Sequence, residues 1–225
     1  MPTFTWPTGY WIPTASVFKI QTISQMSQSP YSGAIKAATS GQLWTCEATF
    51  PPMQNRDAHD IEAFLEGLEG PVNPVYMHDW HRPYLRAEEG GPVRQWSDGT
   101  LFTDGTGWQD PAWNLVLGAS ALAGARSITI TGFPASQQVL WRGDVLGVGD
   151  NLVQVQANVN SDSGGIAMVS ILPGLRRGVT SGTPIITVRP KVLMRLAPDA
   201  DTGIARASTI STEFTLRFVE AIDLP

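Results

Sequence analysis

The stretch Ser208–Ile222, STISTEFTLRFVEAI, decides the fold. Ile210, Phe214, Leu216 and Phe218 alternate there with polar Ser211, Thr215 and Arg217, the period of a half-buried strand. Its apolar residues need a facing surface, and the matching texture lies far upstream in Phe18–Phe50, where Trp44, Cys46 and Phe50 fall on one strand face. The module just before Ser208 is built of shorter strands and does not match. A chain that leaves one domain, builds a second and returns is a platform carrying an insert. The expected fold is therefore all-β with one amphipathic helix. A discontinuous β-sandwich or split-barrel domain spans residues 1–118 plus 200–225, with 80–118 as a connection, and a small OB-like barrel is inserted over 119–199. Such an organisation points to structure or docking before catalysis.

Working outward, strands are expected at Val17–Met26, Ala34–Thr39 and Leu43–Phe50, ended by Pro51-Pro52. One helix follows, with Asp57 as its expected cap and Asp60 at the capping-box position. Ile61, Phe64, Leu65 and Leu68 form its apolar stripe, and Gly70-Pro71 stop it. Val75–His78 reads as a short return strand. Between Trp80 and Gly118 the pattern dissolves into Gly, Asp, Trp and Thr, with two Asp-Gly-Thr turns around Leu101 and Phe102. The insert then runs through SITITGF, DVLGVG, LVQVQANV, IAMVSIL, PIITV and VLMRL, a strand density typical of a small barrel. Within it, Val153, Val155, Ala157 and Val159 are expected to share one face.

Composition excludes several classes. The net charge is −5, with the 15 Lys and Arg scattered, so tight nucleic-acid binding by counterion release is not expected. The single Cys46 cannot staple its own chain and reads as a small core residue. The start MPTFTWPTGYWIPT has no basic segment followed by an apolar one, and no apolar run approaches a membrane span, so folding in a reducing cytoplasm is expected, with no membrane partner.

Catalytic patterns are sparse. His59, His78 and His81 lie close in sequence, yet no further ligand has recognisable spacing, so no metal site is expected. Glu88-Glu89 and Asp199/Asp201 sit among Gly, Ala and Pro, where nothing apolar would raise a carboxyl pKa. Arg142-Gly143-Asp144 reads as the turn into a strand. Gly147-Val148-Gly149 lacks the helix a phosphate loop requires. The expectation is no catalytic residue, no cofactor and no enzyme. The eight tryptophans are the remaining signal: Trp44 alone lies in a regular strand, and the others sit in loops or at strand ends. Loop aromatics stack on sugars or anchor protein interfaces. Trp6, Tyr10, Trp11, Trp80, Trp96 and Trp108 are expected as interface anchors, with sugar stacking as the alternative.

The order of strand, SPYSG turn, strand, Gln42-x-Trp44, Phe50-Pro51-Pro52, Phe64-Leu65-x-x-Leu68-x-Gly70 and Val75-Tyr76-x-x-Asp79 resembles the N-terminal belt domain of distal tail proteins of long-tailed, siphovirus-like bacteriophages and gene-transfer agents. The second module resembles the OB-like domain some of them insert before the last belt strand. The residues that carry this likeness are Arg142-Gly143-Asp144-Val145, Leu152–Val155, Ile171–Arg176 and Pro190 followed by Val192–Leu196. The resemblance implies a structural virion protein of the tail tip, assembled in the host bacterial cytoplasm. It implies a homo-hexameric ring that joins the tail tube protein to the tail hub protein, with DNA passing through the channel without specific binding. The alternatives are a carbohydrate-binding adhesin that uses loop tryptophans, or a head-to-tail joining protein.

Overall fold

A computed structural model describes residues 3–7, 11–28, 35–86, 113–198, 200, 204, 206–207 and 210–222. Among the described residues the protein is all-β with one helix, and the chain divides into two compact units, Met1–Trp80 with Val192–Pro225 and His81–Lys191.

The first unit, the platform, begins with β1 (Phe4–Thr5), β2 (Ala15–Gln28), β3 (Ile35–Phe50), α1 (Asn55–Gly67) and β4 (Val75–His78). β2 and β3 pair antiparallel along their whole length, from Ala15 opposite Thr49 to Gln28 opposite Ile35. The two strands expected within 34–50 are therefore one. Ile23 faces Gly41 and Ser24 faces Thr39, so Ser40 is an extra residue in a β-bulge. A short Gly-containing interruption reads alike for a bulge and a turn, and only the cross-strand register tells them apart. The expected SPYSG turn, residues 29–33, lies outside the described residues.

α1 starts earlier than expected. Gln54 occupies the cap position without a side-chain bond, and Asp57 falls in the first turn, where its charge favours the helix dipole instead of capping. Ile61, Leu65 and Leu68 are buried, as the apolar stripe requires.

The second unit is a barrel made of β5 (Val116–Leu117), β6 (Ser127–Thr131), β7 (Gln138–Leu140), β8 (Val145–Val148), β9 (Asn151–Val155), β10 (Val159–Asn160), β11 (Ile166–Leu172) and β12 (Ile185–Ile186). Its main sheet runs β12-β8-β9-β11-β6-β5. Residues 182–185 return alongside β5 and nearly close it: Leu117 N–H donates to Thr183 O (2.9 Å), Ile185 N–H to Leu115 O (2.9 Å), and Val116 pairs with Pro184. β7 and β10 form a separate two-stranded pair. Alternate residues of β11 and β6 point inward, and Ile128, Ile130, Ala167, Val169 and Ile171 fill the interior.

The chain then returns to the platform through β13 (Lys191–Leu196), β14 (Arg206–Ala207), β15 (Ile210–Ser211) and β16 (Phe214–Glu220). β16 lies antiparallel on β3, with Phe214 opposite Phe50, Leu216 opposite Ala48 and Phe218 opposite Cys46. The platform sheet is ordered β1-β4-β13-β16-β3-β2.

Both expected domain boundaries move. Leu85, Leu115 and Leu117 belong to the barrel core, so within the 80–118 connection the described residues from His81 onward fold with the insert, and Trp80 alone stays with the platform. VLMRL, assigned above to the insert, is β13 of the platform sheet, where Leu196 faces Phe218. Nor does the face from Val153 to Val159 run unbroken: β9 ends at Val155, and Ala157 is exposed. These short segments carry apolar residues that suit either core, and long-range pairing assigns them.

Candidate interaction surfaces

The loop aromatics of the platform turn inward. Trp6 is 2% exposed and lies within 6.0 Å, centroid to centroid, of five rings: Trp11, Phe50, Phe64, Trp80 and Phe218. Those rings come from the arm, β3, α1, the segment after β4, and β16, so Trp6 joins pieces from both ends of the chain. β1 holds the arm in place by parallel pairing with β4, and the Trp6 indole N–H donates to Trp11 O (3.1 Å). Burying a ring of this size removes roughly 150–250 Å² from water, on the order of 4–6 kcal/mol at ~25 cal/mol per Å². That gain explains why the arm folds inward instead of presenting Trp6 and Trp11 to a partner. Both are core residues, which corrects their expected role as interface anchors. Trp80 is half-buried, edge-on to Trp6 and tilted against His78. Tyr10, Trp96 and Trp108 lie outside the described residues.

The other tryptophans are also placed by packing. Trp44 is fully buried against Phe18, and Trp113 packs edge-on to Phe133 against the barrel core. Trp141 is half-buried at the turn before β8. Among the described residues no tryptophan is exposed, and the tryptophan pairs that meet, Trp6 with Trp11 and Trp6 with Trp80, do so edge to face. A sugar platform needs an open ring face, and the described tryptophans that are not buried, Trp80, Trp113 and Trp141, are each half-buried.

The reactive groups are held in structural roles. Cys46 is buried on β3, and desolvation, with the charges of Asp79 and Glu47 adding to it, pushes its thiol well above the ordinary value of 9.0. It stays a neutral thiol. His59 stands on the outer side of α1 beside Glu62 (3.9 Å), His78 is buried at the end of β4, and His81 is exposed. Among the described residues no three His, Cys, Asp or Glu side chains come close enough to hold a metal ion. Asp144 of the Arg-Gly-Asp tripeptide is buried, and its carboxylate accepts from the backbone N–H of Trp141 (2.8 Å) and Arg86 (3.4 Å). The tripeptide is therefore a turn whose aspartate faces inward. Gly147-Val148-Gly149 is the end of β8 and the tight turn into β9, with Gly149 at φ +57°. Glu88, Glu89, Asp199 and Asp201 fall outside the described residues.

The surface the sequence did not announce is an edge. β16 follows β3 from Thr45 to Phe50, and beyond that point β2 and β3 continue, among the described residues, as a two-stranded ribbon. Among the described residues β2 is the edge strand of the sheet over 14 residues and carries one charged side chain, Lys19, while Val17 and Ile23 are 51% and 46% exposed. Long free edges are normally blunted by charges, proline or covering loops. A comparison with protein-family models finds no match to this chain, and neither does a comparison with curated proteins.

Proposed function

We propose that this protein is a structural, non-enzymatic subunit of a phage-like tail tip: a distal tail protein whose copies assemble into a homo-hexameric ring between the tail tube protein and the tail hub protein. The observation that carries this reading is the position of β2 as the edge strand of the platform sheet among the described residues. β2 bonds to β3 on one side and turns roughly every other backbone donor and acceptor to its other side; with Val17 and Ile23 exposed within the strand and Lys19 its one charged side chain, that side suits strand addition from another chain. The resemblance of the platform to belt domains supplies the identity of that other chain, a second copy.

Charge distribution supports the same reading. The platform contains six Lys and Arg against twelve Asp and Glu, whereas His81–Lys191 contains nine against eight. An acidic platform suits a channel through which DNA must slide, because a dense basic lining would hold the phosphates. The assembled ring is expected in the virion, with no membrane partner.

The test is electron microscopy of the purified protein with mass photometry. Rings with a central pore are expected. Val17→Lys with Ile23→Lys should give folded monomers, because both side chains are exposed and the new charges guard the edge. A wild-type protein that stays monomeric at all concentrations would overturn the assembly reading, and rings that persist in the double variant would place the interface elsewhere.

A further inference from the structure

We draw no further inference here: the strongest candidate, the uncharged outer face of the barrel formed by Val116, Thr129, Thr131, Ile166 and Met168, is an unpartnered sheet face, and nothing in the structure shows what covers it.

Discussion

The platform and the barrel are both β-rich, yet they are held together in different ways. The barrel core is mainly Val, Ile and Leu, drawn from one continuous segment, and its β8–β9 hairpin turns through Gly149 and Asp150 alone. The platform core is dominated by Trp6, Trp44, Phe50 and Phe218, and it is assembled from the two ends of the chain. The Glu220 carboxylate, for example, accepts from the Trp44 backbone N–H at 2.9 Å across 176 residues of sequence. A contiguous module closes its core with modest loop entropy, whereas the platform must wait for its last strand and bear the cost of a long closure. The large aromatic surface buried there offsets that cost.

Removing Ser208–Pro225 should break this contrast most severely. β16 sits between β3 and β13 in the sheet and supplies Phe218 to the Trp6 cluster. The platform should lose hydrogen-exchange protection throughout while β6, β9 and β11 keep theirs. Protection retained in β2 and β3 would show that the platform does not depend on its returning strand.

Paired core truncations sharpen the comparison. Trp6→Ala should destabilise the platform by about 3–5 kcal/mol and Ile130→Ala the barrel by about 2–5 kcal/mol, each read by hydrogen exchange in its own unit. Equal loss of protection in both units from either change would mean that they unfold as one body.

A smaller effect is expected where the returning chain meets α1. Ser211 Oγ accepts from the buried Met53 N–H at 2.8 Å, and the backbone N–H of Ser211 donates to Met53 O at 2.9 Å. Ser211→Ala leaves the Met53 donor unpaired and should cost about 1–3 kcal/mol, confined to the platform. Chemical denaturation with a probe in each unit would measure it.

The mildest test uses pH. Cys46 remains a neutral thiol in the folded platform, while an unfolded chain ionises near its ordinary value of 9.0. The folded pKa is raised, so the stabilisation is complete below pH ~9 and is lost above it, by up to about 1.4 kcal/mol per pH unit. Cys46→Ala should flatten that part of the slope for the platform and leave the barrel unchanged. In the native protein Cys46 should resist thiol reagents at pH 8 and react once the platform opens, and rapid labelling without unfolding would show that the thiol is reachable.

Much of this organisation is legible in the residues. Alternation at Phe214, Leu216 and Phe218 against Trp44, Cys46 and Phe50 identifies the discontinuous sheet, and the Ile61–Leu68 stripe identifies the helix. Period and turn chemistry are local quantities, carried by neighbouring residues. What they leave open is partnership. VLMRL alternates equally well in either unit, Ser40-Gly41 could bend a strand or end it, and Trp6 and Trp11 lie in a Pro-rich arm whose sequence does not say whether it faces water or core. Tertiary structure decides each of these by which surfaces lie opposite. Leu196 meets Phe218, Gly41 meets Ile23, and Trp6 meets five aromatic rings brought together from across the chain. Local period and turn chemistry are enough to identify an all-β platform carrying an insert. Only the tertiary contacts make Trp6 and Trp11 core residues and, among the described residues, leave the 14-residue strand β2 at the sheet edge, because burial and edge position depend on contacts between residues that no local pattern links.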